Sequence, residues 1–241
     1  MYNGRLQVFH REPDRPETLA LWKGSLLKQS LFVVEQNHEL TWTDTFTYDG
    51  SGSGQRVEMS GSPSAVVWRN DLWVFHQGGT NNQALFAFVH NHENPQGLWN
   101  EDMHISDVEL SESPCAVVAN DRLHVFYQGA GHSGELWHIV TSDGKSWSKA
   151  KVPKTGMSSS PSVVFANGKL YVFHQGWGNN VRIWCNIKNE VDGDDKWFGD
   201  RPCFTANTNE APGVVAYGSQ LWCFHQDIYN LGELWHKEFP I

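Results

Sequence analysis

The 241-residue chain contains no apolar run near the roughly 18 residues that a membrane-crossing helix needs, so no membrane insertion is expected. Its opening stretch, MYNGRLQVFHREPDRPE, lacks the apolar segment of a signal peptide. A soluble protein, cytoplasmic or released by a non-classical route, is therefore expected. Clusters of Lys and Arg are missing as well. The chain has 18 basic residues against 27 acidic ones, a formal charge of −9, which is a poor composition for gripping a phosphate backbone. No nucleic-acid partner is expected. The four cysteines, Cys115, Cys185, Cys203 and Cys223, are far apart and form no CxxC pair, so a zinc site built from closely spaced ligands is excluded. Buried reduced thiols are the plain reading, with a disulfide between Cys185 and Cys203 left open. Helical periodicity, a Gly-x-Ser-x-Gly elbow, a phosphate loop and a metalloprotease motif are all missing. Neither a cofactor nor a metal is implied.

What is plentiful is aromatic residues and glycine: 12 Trp, 13 Phe and 22 Gly. With only 19% charged residues, this favours short strands and tight turns over long solvated helices. The organisation is an internal repeat. SPSAVVWRNDLWVFHQGG from Ser62, SPCAVVANDRLHVFYQGA from Ser113, SPSVVFANGKLYVFHQGW from Ser160 and APGVVAYGSQLWCFHQDI from Ala211 read alike. Each has a proline (Pro63, Pro114, Pro161, Pro212), a leucine nine residues on (Leu72, Leu123, Leu170, Leu221) and a glutamine (Gln77, Gln128, Gln175, Gln226). Nine residues beyond each glutamine stands an aromatic: Phe86, Trp137, Trp184 or Trp235. A worn copy runs from Pro16, with Leu31 to Gln36 in place of the second strand and Trp42 as its aromatic.

Within a repeat, an apolar run such as Pro161 to Ala166 meets a two-residue turn at Asn167-Gly168, and Leu170 to Gln175 returns as a second strand. A third strand surrounds Trp184, and a fourth lies near Trp99, Trp147 or Trp197. Four antiparallel strands recurring about every 50 residues define the blade of a β-propeller. The expected fold is all-β: one domain over 1–241, a five-bladed β-propeller of four-stranded blades. The blades are approximately 16–62, 63–113, 114–160, 161–211 and 212–241 plus 1–15. Only six residues follow Trp235, so Gly4 to His10 is expected to close the ring as the outer strand of the last blade. The same stretch also reads as the relic of a further second strand.

The V-V-x-x-N-G-x-L-x-V-F-H-Q-G unit, the G-x-L-W that follows it and the D-G-x-x-W of Asp143 to Trp147 resemble repeats of PLL-like bacterial propeller lectins. The count and length of the copies are similar to the tachylectin type. The resemblance implies a multivalent lectin that binds sugars in shallow sites between neighbouring blades, with glycans or glycoconjugates as partners.

Two residue sets are candidates for such sites. The first is the second-strand pair His76-Gln77, His174-Gln175 and His225-Gln226, varied to Tyr127-Gln128 and Glu35-Gln36. These side chains either bond between blades or offer donors and acceptors to sugar hydroxyls. The second set is the third-strand aromatics Trp42, Trp137, Trp184 and Trp235, with the loop residues Asn81, Asn82, His132, Trp177, Asn180 and Tyr229. An aromatic face suits the C–H surface of a sugar when a few fixed polar groups stand beside it. The fourth-strand tryptophans read as structural, with Asp143 and Ser146 as pocket candidates. Two alternatives remain. A protein-interaction scaffold is one. A glycoside hydrolase is the other, for which Glu112 and Glu210 are the best carboxylate pair, and no catalytic residue is otherwise suggested.

Overall fold

The computed structural model describes residues 8–12, 15–25, 41–47, 59–79, 82–93, 102–178, 180–191, 196–228 and 233–241, and among these every regular element is a β-strand. An N-terminal sheet comprises β1 (Val8–Glu12), β2 (Arg15–Ser25) and β3 (Thr41–Thr47). The four clear repeats then fold as four blades. The first holds β4 (Met59–Trp68), β5 (Asp71–Gly78), β6 (Ala84–His90) and β7 (Met103–Glu109). The second holds β8 (Cys115–Ala119), β9 (Arg122–Gln128), β10 (Leu136–Thr141) and β11 (Ser148–Lys151). The third holds β12 (Ser162–Ala166), β13 (Lys169–Gln175), β14 (Arg182–Asn189) and β15 (Arg201–Asn207). The fourth holds only β16 (Gly213–Tyr217), β17 (Gln220–Gln226) and β18 (Leu234–Pro240).

The propeller fold is as expected; the five blades of four strands are not. The repeats give blades of four, four, four and three strands, and the N-terminal strand does not complete the last one. Instead β1 turns back on β2, with Val8 opposite Trp22 and Glu12 opposite Arg15. Only Pro13 and Asp14 separate that last pair, and closing so short a loop costs far less entropy than pairing with a strand more than 200 residues away. The alternative reading of this stretch as a second strand concerns residues that include the undescribed 4–7, and the worn second strand at Leu31 to Gln36 also lies outside the described residues.

The first three blades begin with the same hairpin. Arg69-Asn70, Asn120-Asp121 and Asn167-Gly168 all have positive φ at both positions, the conformation that matches strand twist. Asn-Gly takes it without strain, whereas the other two turns hold non-glycine residues there. The second strands β5, β9 and β13 are buried on both faces, and β9 is covered by the first blade on one side and the third on the other. Alternate side chains therefore serve different interfaces. From β9, Val125 and Tyr127 join the core with Phe75, Leu85 and Ile105 of the first blade. Phe126 faces the other way, with Val163 and Val172 of the third.

In the second and third blades, the tryptophan ahead of the outer strand locks onto the preceding blade. Trp147 meets Phe75 edge-on at 6.0 Å, and Trp197 meets Phe126 at 6.0 Å. The turn before Trp147 is fixed by Asp143, whose carboxylate accepts the N–H groups of Lys145 and Ser146, both at 2.8 Å. Those bonds hold its pKa well below the usual carboxylate range. Gly144 (φ +74°) presses on Trp73, where an added Cβ would lie 2.9 Å from the ring.

Around the axis, the Ser-Pro-Ser triplets join the inner strands. Ser113 Oγ accepts the N–H of Ser62 at 2.7 Å, and Ser160 Oγ that of Ser113 at 3.0 Å. Ser64 Oγ accepts from Ala116 N at 2.9 Å and Ser162 Oγ from Val214 N at 3.0 Å. In the second repeat Cys115 stands in place of the second serine, facing the N–H of Val163, and burial pushes its thiol up to about 11. The fourth repeat has Ala211 and Gly213 at these two positions.

Candidate ligand sites between the blades

The His-Gln pair turns inward. His76 and His174 are fully buried, and in each both ring nitrogens are occupied. Nδ1 lies 3.1 Å from the carbonyl of Gln77 in the first case and 2.9 Å from that of Gln175 in the second. Nε2 lies 3.1 Å from Asp102 Oδ1 and from Asp200 Oδ1 respectively. Gln77 and Gln128 use their amide N–H groups on the carbonyls of Leu110 (2.8 Å) and Met157 (2.9 Å), and Gln175 is buried beside its histidine. These groups are engaged in blade cohesion. His225 is buried, while Gln226 is exposed. Glu35, Gln36, Asn81 and Tyr229 lie outside the described residues.

The glycine after the glutamine makes room for the third-strand aromatic. A Cβ on Gly78 would lie 2.8 Å from the Phe86 ring, on Gly129 2.9 Å from Trp137 Nε1, and on Gly176 2.6 Å from Trp184 Nε1. Phe86, Trp137 and Trp184 are half-buried over these glycines, whereas Trp235, which follows Asp227 in the fourth blade, is 45% exposed. Trp42 lies in β3, paired near Gly24. The loop asparagines fold onto their own backbone: Asn82 Oδ1 accepts from Ala84 N at 3.0 Å and Asn180 Oδ1 from Arg182 N at 3.1 Å. Trp177, half exposed, lies across Gly134 of the second blade, where a Cβ would come within 2.3 Å of its ring.

One cleft gathers aromatic and polar groups. It has a volume of about 370 Å³ and opens between the first and second blades. Asp107 and Glu109 line it from β7, and Tyr127, Glu135, Trp137 and Lys149 from the second blade. The indole N–H of Trp137 donates to Glu135 Oε2 at 3.2 Å, and Lys151 Nζ donates to Glu135 Oε1 at 2.5 Å. The lysine holds the Glu135 carboxyl below its ordinary range. Lys149 Nζ stands 4.9 Å from the Trp137 ring and donates to the carbonyl of Asp107 at 2.6 Å. Tyr127 occupies the place that histidine takes in the sister blades, and its buried hydroxyl has no hydrogen-bond partner. Burial raises its phenol pKa.

A second cleft of about 340 Å³ lies nearer the axis between the same blades, lined by Gln77, Gln83, Glu112 and His132. His132 is exposed, with Nδ1 3.4 Å from Glu112 Oε1. Burial pushes the Glu112 carboxyl upward, His132 opposes this, and Glu210 adds to it. Among the described residues, no three His, Cys, Asp or Glu side chains are grouped to hold a metal ion. The four cysteines are free thiols. No described helix is long and apolar enough to cross a membrane.

Sequence reasoning missed Glu135, Lys149, Asp102 and Asp200. Signals for three of these were present. Gly-Glu-Leu-Trp-His occurs at 134–138 and again at 232–236, and Glu233 Oε2 accepts from Trp235 Nε1 at 3.1 Å as Glu135 does from Trp137. Asp102 and Asp200 each stand 26 residues after their histidine. Lys149 carries no comparable repeat signal.

No protein-family model matches the chain, and no curated protein matches its sequence. Solved structures share its fold. A triple arginine-to-alanine mutant of AofleA from Arthrobotrys oligospora superposes with a TM-score of 0.65 at 13% identity, covering 99% of this chain and 67% of that one. The exo-β-1,3-galactanase of Phanerochaete chrysosporium, with β-1,3-galactotriose, gives 0.59 at 9% identity, over 100% of this chain and 58% of the enzyme. The Aleuria aurantia lectin AAL, with Fucα1-6GlcNAc, gives 0.52 at 13% identity, over 98% and 75%. The chain thus spans about two thirds of the AofleA chain and less of the galactanase. These likenesses establish a β-propeller.

Proposed function

We propose that this chain is a carbohydrate-binding propeller, a lectin rather than an enzyme, with its principal site in the cleft between the first and second blades. The observation that supports this is the grouping around Trp137: an indole clamped by Glu135, Lys149 above it, and the unpartnered Tyr127 hydroxyl in the same cleft. A sugar ring offers a C–H face to the indole, and its hydroxyls serve as donors to the carboxylates and acceptors from lysine. Trp235 with Glu233 repeats the clamp in the fourth blade and forms a second, more open site. Two weak sites on one ring engage a glycan-coated surface together, and avidity then exceeds either affinity. The sugar-bound galactanase and Aleuria lectin structures are in keeping with this reading.

Glycan-array screening followed by calorimetric titration tests it. Binding near two sites per chain is expected, with Trp137→Ala and Glu135→Gln each removing one site and Glu233→Gln the other. No binding on a broad array would sink the proposal. The hydrolase reading is favoured by one observation, the raised carboxyl of Glu112 beside Glu210. Release of sugar from a glycoside panel, abolished by Glu112→Gln, would replace the lectin reading with that one.

A further inference from the structure

The walls of the Trp137 cleft carry a charge pattern that the repeat does not dictate. Seven residues after the repeat glutamine stand Ala84, Glu135, Arg182 and Glu233, so the acid beside the indole belongs to the second and fourth copies only. The opposite wall, β7, adds two more acids. Between the pairs Leu85–Ile105 and Ala84–Glu109 this strand steps out of register. Asp107, inside the step, has φ +62°, a left-handed conformation that aspartate accepts more readily than most side chains. Such a bulge re-aims side chains, and here Asp107 and Glu109 both line the cleft and are exposed. Glu135 is engaged by Lys151 and the indole N–H. Among the described residues, neither Asp107 nor Glu109 has its carboxylate in an ion pair or a hydrogen bond. Lys149 shows what fits between these walls. Its Nζ lies 4.9 Å from the Trp137 ring and donates to the Asp107 carbonyl at 2.6 Å, the seat of a cation over an aromatic face. Lys149 is exposed on a long flexible stem, so its head leaves the seat without disturbing the core. With it gone, three carboxylates face the single ammonium of Lys151.

We propose that this cleft selects glycans with a free amino group, a 2-amino-2-deoxy sugar unsubstituted on nitrogen. The inference rests on the reading of the cleft as a sugar site and names the class of sugar. The ligand's ammonium takes the seat of Lys149 at the Asp107 carbonyl, with the carboxylates of Asp107 and Glu109 beside it, and the adjoining C–H face lies on the indole. The displaced lysine head returns to solvent. An N-acetylated sugar brings no charge to the two free carboxylates, and an acidic sugar meets like charges, so both are disfavoured. The whole lining comes from described residues of the first and second blades, and its volume of about 370 Å³ suits a small ligand.

The test uses the intact chain and two probes, a β-1,4-linked glucosamine tetramer and its fully N-acetylated counterpart, titrated calorimetrically. The amino tetramer should bind at least tenfold tighter. Raising the salt from low to moderate should weaken it several-fold and leave the acetylated probe unchanged. Asp107→Asn combined with Glu109→Gln, both at exposed positions and the first suited to the left-handed backbone, should bring the two affinities together. Lys149→Met should widen the gap, because it vacates the seat. Equal affinity of the two probes for the unaltered chain would overturn the inference while the lectin reading stands. So would a gap that the double variant leaves intact or that Lys149→Met narrows. A tetralysine peptide that binds as tightly as the amino tetramer would overturn it too, since charge alone would then suffice. Binding of neither probe, nor of any glycan on the array, overturns both readings.

Discussion

Asp200 holds two parts of the ring at once: Oδ1 lies 3.1 Å from Nε2 of the buried His174, and Oδ2 accepts the backbone N–H of Gly156 at 3.2 Å. The histidine belongs to the core of the third blade, and the glycine to the segment that enters that blade from the second. One carboxylate thus fixes an outer strand, a middle strand and a connection.

Removing it should be costly. Asp200→Ala leaves a fully buried imidazole without its partner, and a loss of about 3 kcal/mol is expected in urea unfolding. Asp102→Ala should cost less, because Asp102 is 25% exposed where Asp200 is 12%. A loss below about 1 kcal/mol for Asp200→Ala would show that solvent replaces the carboxylate readily.

The glycines under the third-strand aromatics should tolerate no methyl. Gly176→Ala drives a Cβ to 2.6 Å from Trp184 Nε1 and is expected to destabilise by about 1–3 kcal/mol. Gly129→Ala should do the same and also weaken glycan binding, since it displaces Trp137. Gly213→Ala meets nothing within 4 Å and should stay within about 0.5 kcal/mol of the parent. Chemical denaturation of the three variants, with binding measured on the second, checks these expectations.

Acid should loosen the joint between the second and third blades. His124 and His138 stack with ring centroids 5.1 Å apart, and Nδ1 of the first lies 2.9 Å from Nε2 of the second. Burial is the main force lowering His124 to about 4; Glu190 opposes it, while Arg122 and Lys188 add to it. Burial likewise holds His138 well below the ordinary value, with His124, Lys188 and Arg122 contributing. The unfolded chain therefore binds protons that the folded chain refuses. Stability is complete above pH 6.5 and declines as pH falls toward 4, by roughly 3 kcal/mol from His124 alone. Calorimetric Tm between pH 7.5 and 4 should show this, and His124→Phe with His138→Phe should flatten the slope.

The same joint holds a buried ion cluster. Glu190, with its side chain 1% exposed, accepts from Lys188 Nζ at 2.6 Å and from Arg122 at 2.5 Å. Glu190→Gln leaves two cations facing an amide, and a loss of about 3 kcal/mol is expected. Because Lys188 is itself buried, this cost should change little between low and moderate salt. Unfolding at two ionic strengths measures both statements.

The blade was legible in the sequence because every copy spends the same residues on the same contacts. Pro63, Leu72, Gln77 and Phe86 sit at matching offsets in four repeats because the inner strand, second strand and third strand meet the same neighbours each time. Trp147 and Trp197 were readable as structural for the same reason. The blade count was not legible, because matching strand length cannot distinguish a distant partner from the near one that β1 takes in β2. The direction of the His-Gln side chains was equally hidden. Residue type allows His76 to face a ligand or an aspartate, and only the fold brings Asp102 within reach. The polar groups beside Trp137 come from two blades, and their meeting depends on interblade packing that no single repeat encodes.

The serine links around the axis have a further consequence. Each ties a repeat to the next through a hydroxyl and a backbone N–H, with no side chain unique to either neighbour. A copy carrying Ser-Pro-Ser offers one hydroxyl to the copy before it and one to the copy after it, whereas Cys115 leaves the second repeat with only the first of these. Ala211 and Gly213 carry no hydroxyl, so the fourth repeat offers neither link.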